Sequence, residues 1–200
     1  MLEKSIKQLN RVGISDSLGL GLVLGLETES WGDGEIADAE FHIPGFSSFR
    51  VDRKSSHRGG GVILYTRNNI NAVKIKFKSN FTDQVWSKVP ITNGKELLIG
   101  VCYRSPTTQF SGKENNESLC DLIDEVHGKS TLLMGDFNYP DIDWSVSCGH
   151  SPASQKFVDH IEDGFLTQHV KEATRKDSIL DLVITSEPEM IDTVSILGRL

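Results

Sequence analysis

The residues best suited to chemistry stand in the segment Gly135-Asp136-Phe137-Asn138. This segment follows an apolar run at residues 131–134, which predicts a buried strand that opens into a loop at Asp136. Loops at strand ends often carry functional residues. An acid and an amide two residues apart can face one cleft, where the acid polarises a water molecule and the amide holds an oxyanion. A strand followed by an Asx-type turn is the alternative interpretation.

Four further polar segments occupy predicted strand ends. They are Thr28-Glu29-Ser30-Trp31, the glycine-rich turn Arg58-Gly59-Gly60-Gly61, Tyr103-Arg104-Ser105-Pro106, and Leu180-Asp181-Leu182-Val183. Glu29, Tyr103 and Asp181 are the candidate functional residues among them. Together with residues 135–138, they give five polar segments at the ends of predicted strands.

Hydrophobic periodicity predicts the elements that position these segments. Strands are predicted at residues 18–26, 62–65, 72–77, 85–89, 96–103, 131–134 and 180–185, helices at 1–12, 118–128 and 151–164, and an acidic loop at 32–44. Asn93-Gly94 predicts a hairpin turn. Strands that follow one another directly predict an antiparallel first half. Together with the helices they predict an α/β fold, a layered sandwich with sheets of mixed direction.

The composition predicts one globular domain. The chain has 200 residues, of which 38% are hydrophobic and 24% are charged. Its net charge of −7 argues against a passive nucleic-acid binder, whose surface is usually basic. This argument does not apply to an enzyme whose acidic cleft binds a divalent cation, because the cation neutralises the negative charge. No segment is apolar over the length that a membrane span requires, so we expect no membrane partner.

The cysteines point to a reducing compartment. Cys102, Cys120 and Cys148 are odd in number and form no CxxC pair, so neither a disulfide framework nor a zinc site is predicted. We therefore expect an intracellular protein. The sequence shows no targeting signal.

Taken in order, the five segments resemble the endonuclease/exonuclease/phosphatase superfamily, and specifically the apurinic-type endonuclease domain of non-LTR retrotransposon polyproteins. The resemblance covers residues 24–197 and includes phrases such as Phe165-Leu166-Thr167-Gln168. It implies a DNase I-like, four-layered α/β sandwich with two mixed sheets packed face to face. It also implies cleavage of a DNA phosphodiester with Mg²⁺ or Mn²⁺, and no small-molecule cofactor.

The resemblance assigns a role to each candidate residue. Glu29 matches a metal-binding glutamate, and its carboxylate is the hard ligand that Mg²⁺ prefers. Asp136 matches the aspartate that orients or deprotonates the attacking water and joins the metal site. Asn138 matches the amide that holds a phosphate oxygen, and Tyr103 a tyrosine whose hydroxyl meets the scissile phosphate. Asp181 matches an acid that orients a catalytic histidine.

Three of these residues also have simpler interpretations. Glu29 would be a solvated acid at a strand end. Tyr103 would be a core residue that closes a buried strand. Asp181 would be a buried acid that caps a neighbouring loop.

The sequence departs from the family pattern at two places. Family members carry a phrase like Asn-x-Arg-Ser-Leu on the first strand, for which Asn10-Arg11-Val12-Gly13 is a poor match. They also end in Ser-Asp-His, whose histidine contacts the phosphate, whereas this chain stops at Gly198-Arg199-Leu200. No histidine occupies the matching position; the chain has His42, His57, His127, His150, His160 and His169. We therefore expect a truncated copy or partial gene model, with a poorly matched segment at 1–17 and the domain, lacking its last strand, at 18–200.

Three functions are compatible with these observations. The first is an endonuclease that nicks DNA in the nucleus, so that the reverse transcriptase domain of the same polyprotein can prime from the free 3′ hydroxyl. The second is a domesticated or decayed domain that binds DNA or protein without catalysis. The third keeps the superfamily's chemistry but acts on a lipid or inositol phosphate.

Overall fold

The computed structural model describes residues 11–13, 25–28, 41–52, 61–105 and 113–195. The strands are β1 (Arg11–Gly13), β2 (Gly25–Thr28), β3 (Phe46–Val51), β4 (Val62–Arg67), β5 (Val73–Ile75), β6 (Gln84–Pro90), β7 (Glu96–Tyr103), β8 (Thr131–Asp136), β9 (Ile142–Asp143), β10 (Cys148–Gly149), β11 (Thr167–Gln168), β12 (Asp181–Thr185) and β13 (Thr193–Ser195). The α-helices are α1 (Lys113–Val126) and α2 (Pro152–Asp163). Neither helix has the length and apolar character needed to cross a membrane.

The larger sheet contains six strands in the order β11-β12-β8-β7-β6-β5. Its central strands, β7 and β8, run parallel, and all other neighbours in it run antiparallel. A parallel pair needs a long crossover connection, and α1 lies in that connection. The sheet is mixed, and its two central strands end at the same edge.

A three-stranded antiparallel sheet, in the order β2-β4-β3, packs on one face of the larger sheet. Val62 and Leu64 of β4 enter the core between the sheets. The alternate residues, Ile63 and Tyr65, are only 0% and 5% exposed, so the outer face of the small sheet is covered as well. The predicted α/β sandwich of two packed sheets is confirmed.

Both helices cover the opposite face of the larger sheet. The predicted apolar stripe of α1, at Leu119, Leu122, Ile123 and Val126, packs against α2 and the strands. The predicted start of α2 is also confirmed, because the Ser151 hydroxyl accepts a bond from the Ser154 amide in a capping box that precedes Pro152.

The predicted elements between residues 61 and 103 are also present. The strand expected at 72–77 appears as the shorter β5. The expected hairpin turn joins β6 to β7, with positive φ at both Asn93 (62°) and Gly94 (70°). The strand expected at 180–185 appears as β12.

Two predictions near the start of the chain need correction or fall outside the described residues. Arg11 and Val12, predicted as the end of a helix, belong to β1 and pair with Ser195 and Val194 of β13. Pairing with a distant strand overrides a weak local periodicity. The rest of that helix and residues 18–24 of the first predicted strand lie outside the described part, while β2 extends that strand to Thr28.

Strand β3 was not predicted. Its first half reads Phe46-Ser47-Ser48, and both serines are exposed, so its sequence lacks the apolar run of a buried strand. Pairing along β4 nevertheless fixes β3, and Phe49 and Val51 pack against the core.

Gly135 lets the two central strands approach each other closely. Its φ is 153°, and a Cβ atom built there would lie 1.8 Å from the Cys102 carbonyl oxygen. Gly135 pairs with Cys102 on β7, one residue before Tyr103 pairs with Asp136. The missing side chain therefore preserves the strand pairing that brings Tyr103 beside Asp136.

We expect Gly135→Ala to lower the free energy of unfolding by about 3 kcal/mol or more, because the new methyl group collides with main-chain atoms. The matched control is Gly128→Ala. Gly128 also has a positive φ, of 70°, but no atom lies within 4 Å of the point that a Cβ atom would occupy, so only the conformational cost of about 1 kcal/mol applies. Urea denaturation measures both values, and equal losses would show that the close approach at Gly135 is not a constraint.

Candidate active site

Three of the candidate residues stand side by side at one end of the larger sheet. Tyr103 ends β7 and Asp181 begins β12, and both pair directly with Asp136 at the end of β8. Their exposed fractions are only 4%, 3% and 2%, respectively. Directly paired residues share a face of the sheet. Since Val101, Met134 and Val183 on the same strands enter the core between the sheets, the three side chains point toward the small sheet.

The Asp136 carboxylate has two described partners. One oxygen, Oδ1, accepts a hydrogen bond from the main-chain N–H of Asn138 at 3.2 Å. The other, Oδ2, lies 3.3 Å from Nη2 of Arg175, whose side chain is 50% exposed. The carboxylate is therefore fixed on one side by its own loop and on the other by a guanidinium that reaches solvent.

The pKa of Asp136 is raised from 3.8 to about 7. Burial is the largest cause and the charge of Asp181 adds to it, while Arg175 and the hydrogen bonds from Asn138 partly oppose the rise. A carboxyl group with a pKa near neutrality can exchange a proton with water at physiological pH. Such a shifted acid in a polar cluster is typical of functional sites, although buried structural pairs also produce it.

Asn138 adopts a left-handed main-chain conformation, with φ of 50°. This conformation is uncommon outside glycine but is tolerated by asparagine. The side-chain amide of Asn138 is 7% exposed and donates one hydrogen bond to the Arg104 carbonyl oxygen at 2.8 Å. The same side chain also hydrogen-bonds the Asp136 carboxyl, so the Asn138 amide lies between the acid and the end of β7.

Arg104 follows Tyr103 directly and is only 8% exposed. Its Nη1 donates to the carbonyl oxygens of Phe137 at 3.2 Å and Asn138 at 2.9 Å. Its guanidinium lies 3.8 Å from the centre of the Tyr139 ring. Arg104 belongs to the strand-end segment 103–106, but its residue type alone predicted no role for it.

Two other polar residues at this end of the sheet were missed. Asp83 precedes β6 and is 4% exposed; its carbonyl oxygen accepts from the Tyr103 amide at 2.9 Å, and its Oδ1 accepts from the Gly61 amide at 3.4 Å. Thr174 Oγ1 accepts from the amides of Leu180 and Asp181 at 3.0 and 3.1 Å. The position of Asp83 two residues before a predicted strand was its only sequence signal, and Thr174 had none.

Glu29 and the turn at residues 58–60 lie outside the described residues. The strand before Glu29, β2, ends at Thr28, which pairs with Val62 at the start of β4. Gly61, directly before Val62, donates to Asp83 beside Tyr103. The described end of β2 therefore lies at the end of the sandwich that holds the acids.

Three histidines within the described residues have side-chain partners away from the acids. His169 bonds Thr185 at 2.7 Å, at the opposite end of β12 from Asp181. His160 Nδ1 bonds Asp124 at 2.6 Å, and His127 Nε2 bonds the His160 carbonyl oxygen, both between the helices. None of these three histidines is the partner that Asp181 was predicted to orient.

A cleft of about 520 Å³ opens between the loop that follows Asn138 and the loop that precedes Asp181. Its lining includes Trp144, His150, Lys171 and Asp177. A volume of this size is typical of small-ligand sites, and the lining is mixed polar and apolar. Its lining contains neither Asp136 nor Asp181, and Ile142, Trp144 and Ile179 in it also pack against the apolar cluster under the helices.

The acids fit a hard divalent cation in their chemistry. Asp136 and Asp181 are nearly fully buried carboxylates on neighbouring strands, and the half-exposed Arg175 is the cation that lies against Asp136. Carboxylate oxygens are the ligands that Mg²⁺ prefers. Within the described ranges, no group of three or more acids, histidines or cysteines is placed to hold a metal, so a complete ligand set would need a residue such as Glu29.

Comparison with known proteins gives a family and a fold. A family model described as endonuclease-reverse transcriptase matches residues 97–198, just over half of the chain. No curated protein sequence matches the chain significantly.

Solved structures with similar folds include two endonucleases and the catalytic domain of human Nocturnin. The endonuclease domain of TRAS1, a telomere-specific non-LTR retrotransposon, is 13% identical with a TM-score of 0.56, over 82% of this chain and 72% of that one. An AP endonuclease from Leishmania major is 12% identical with a TM-score of 0.57, over 82% and 69%. The human Nocturnin catalytic domain is 12% identical with a TM-score of 0.53, over the same shares. At such identities the likeness establishes the fold.

The raised pKa of Asp136 should make the metal-free protein less stable above neutral pH. Below about pH 3.8 the carboxyl is protonated in both states and contributes nothing. As the pH rises from about 3.8 to about 7, the unfolded chain releases this proton first, so stability falls and then stays constant.

We therefore expect Asp136→Asn, in chelator, to raise the free energy of unfolding at pH 8 by roughly 1 to 4 kcal/mol relative to the parent. The difference should vanish near pH 4. Denaturation curves across this range measure it, with the exposed Asp163→Asn on α2 as the control. A constant difference at all pH values would contradict the assigned pKa.

Proposed function

Because the chain belongs to the endonuclease-reverse transcriptase family of the endonuclease/exonuclease/phosphatase superfamily, we propose that it hydrolyses phosphodiester bonds in DNA with the help of a divalent metal ion. The observation that carries the proposal is the position of Asp136. This acid is buried at the end of β8, is flanked by Tyr103 and Asp181, and has a pKa of about 7. A group of this kind can take a proton from water near neutral pH.

Each residue then has a defined task in hydrolysis. Asp136 orients and deprotonates the attacking water, whose oxygen bonds to phosphorus as the bond to the 3′ oxygen breaks. Asn138 uses its side-chain amide to hold a phosphate oxygen while negative charge grows on it. The Tyr103 hydroxyl contacts the same phosphate. The products are a 5′ phosphate and a free 3′ hydroxyl.

Glu29 and Asp136 would hold Mg²⁺ or Mn²⁺, because both supply hard carboxylate oxygens. When bound, the ion would stabilise the charge that develops on the phosphate. Asp181 pairs directly with Asp136 across β8 and β12, and its negative charge helps to raise the pKa of that acid, which favours acceptance of a proton. The Arg175 guanidinium, half exposed beside Asp136, would attract a phosphate to this acid by its positive charge.

We propose DNA as the substrate and a reverse transcriptase domain as the partner. The family description joins an endonuclease to a reverse transcriptase, and one similar structure is the endonuclease of a non-LTR retrotransposon. In such an arrangement the nick would supply the 3′ hydroxyl from which the polymerase primes. The site of action would be the nucleus, where the target DNA lies.

One observation favours a second function, that of a domain which binds without catalysis. The Arg175 guanidinium lies 3.3 Å from the Asp136 carboxylate. An ion pair at this distance favours the charged form of the acid and reduces its tendency to accept a proton. A protein that has lost catalysis could keep this pair as part of its fold.

Nicking of supercoiled plasmid in Mg²⁺ distinguishes the two functions. We expect the parent protein to nick the plasmid and Asp136→Asn to reduce the rate by about two to four orders of magnitude, because the proton acceptor is lost. Asp163→Asn, which removes an exposed acid from the end of α2, should leave the rate unchanged. Equal rates in the parent and Asp136→Asn would contradict the proposed chemistry, and binding without nicking would favour the second function.

Metal binding is expected to stabilise the fold by mass action. With Mn²⁺ at about a hundred times its dissociation constant, the gain of about 2.7 kcal/mol corresponds to a melting temperature higher by roughly 5 to 11 °C. Glu29→Gln should reduce this shift, and Glu162→Gln, an exposed residue of α2, should not. The same shift in all three proteins would remove Glu29 from the metal site.

A further inference from the structure

The charged side chain of Arg104 is buried, which is unfavourable in free energy. It is buried at the end of the larger sheet, with an exposed fraction of only 8%. Removing a charge from water is expensive unless hydrogen bonds replace the lost hydration. The hydrogen bonds of this side chain go to neutral oxygens: two main-chain carbonyls and the Asn116 side chain. Neutral oxygens return less energy than a carboxylate would, so the position of Arg104 needs a reason beyond charge pairing.

Arg104 forms hydrogen bonds to the segment that carries the candidate site, and these bonds supply the reason. Its main-chain amide donates to the Asp136 carbonyl oxygen at 2.8 Å, and its Nη1 donates to the carbonyl oxygens of Phe137 and Asn138. The Asn138 side chain donates back to the Arg104 carbonyl oxygen at 2.8 Å. One residue therefore bonds the main chain of three consecutive residues, and those residues include the acid and the amide of the candidate site.

This segment needs support because Asn138 is left-handed, with φ of 50°. A non-glycine residue in this region is strained and persists only where its surroundings fix it. The reciprocal bonds between Arg104 and Asn138 supply that restraint. They set the direction of the Asn138 amide relative to the Asp136 carboxylate.

A second group of contacts holds Arg104 itself. Its guanidinium stacks on Tyr139 at 3.8 Å, and its Nε donates to Asn116 Oδ1 at 2.9 Å. The Tyr139 hydroxyl donates to the same oxygen at 3.0 Å. Burial raises the pKa of Tyr139 to about 12, so the hydroxyl keeps its proton for this bond. Tyr139 in turn stacks on Phe157 of α2 at 5.0 Å.

We propose that Arg104 is a positioning residue, which, supported by Tyr139 and Asn116, fixes the main chain of residues 136–138 so that the Asp136 carboxylate and the Asn138 amide face the same phosphate. We call Arg104, Tyr139 and Asn116 the Arg104 clamp. The positioning itself is independent of any reaction, and only its effect on rate rests on the proposed nuclease function. The clamp connects the end of β7, the loop after β8 and both helices.

The clamp requires the shape of arginine as well as its charge. A guanidinium is planar, so it can direct several N–H groups at separate acceptors while its face lies on an aromatic ring. A lysine has one charged nitrogen and no flat face. Arg104→Lys therefore keeps the charge and removes the geometry. Tyr139→Phe keeps the stacked ring and removes only the bond to Asn116.

Nitrogen-15 NMR of the side chains tests the positioning directly, in the metal-free protein without DNA. We expect the Asn138 side-chain amide to show a shifted, slowly exchanging pair of signals, which move toward solvent-exposed values and exchange at least about tenfold faster in Arg104→Lys as the bonds are lost. The control is Arg67→Lys, because Arg67 also lies over an aromatic ring, at 5.8 Å from Phe46, but far along the chain from the clamp. This control should leave the Asn138 signals unchanged.

Unchanged Asn138 signals in a folded Arg104→Lys protein would overturn the proposal. If that variant does not fold, Tyr139→Phe decides the matter. The Arg104 Nε–H and Asn138 signals should then shift and exchange faster, and no change in either signal would overturn the proposal.

The nicking assay tests the consequence for rate. We expect Arg104→Lys to lower kcat by about 10- to 100-fold and to change the KM for DNA by less than about threefold, because orientation is lost rather than binding. In an Asn138→Ala background, Arg104→Lys should cost less than about threefold, since the two residues act as one unit. Full additivity would contradict action through Asn138. If the parent protein does not nick, the proposed function fails, whereas the NMR result still decides the positioning.

Discussion

The close parallel pairing of β7 and β8 is the constraint on which the rest of the site depends. It holds because residue 135 has no side chain, and the Cys102 carbonyl oxygen occupies the space that a Cβ atom would need. This pairing places Tyr103 opposite Asp136 and starts the loops that carry Arg104 and Asn138 at the same edge. A shift of one residue would turn Asp136 toward the helices, where a carboxylate would meet the apolar cluster around Leu133.

The acids at this edge reduce the stability of the fold that holds them. Asp136 and Asp181 are neighbours, nearly without solvent, and burial and mutual repulsion keep the Asp136 pKa near 7. The unfolded chain would ionise the same carboxyl more easily, so folding opposes ionisation. The apolar clusters on both faces of the larger sheet offset this penalty. A site that retains such a charge only for packing would be more stable with an amide in its place.

The elements that could be predicted from the sequence are those defined by residues close to them in the chain. The capping box before α2 and the glycine-bounded apolar run of β8 lie within a few residues of the features they define. Strand β3 was missed because pairing with β4, rather than its own composition, makes it a strand. The same reason applies to Arg104 and Arg175. Their partners in the segment 136–138 are 33 or more residues away, so no spacing in the sequence indicates that they meet the site.

Among the candidate residues, the sequence indicated which ones would be neighbours but not which contacts would hold them in position. Tyr103, Asp136 and Asp181 were identified by type and by their position at strand ends, and the structure places them in register. The left-handed main chain at Asn138 has no signature beyond the residue type, because asparagine is common in turns of many kinds.

The order of strands in the larger sheet also fixes the order in which the site can be assembled. β7 and β8 flank the crossover that contains α1, and β12 joins β8 from the other side only after a further 44 residues have followed Asp136. During synthesis, Asp136 is therefore made, and can be paired with Tyr103, before Asp181 exists to repel it. The first part of the sheet can close around a single acid, and the second negative charge is added to a framework that is already in place. A chain that pairs β8 with β12 first would bring two carboxylates together before the apolar surfaces that compensate for them have met.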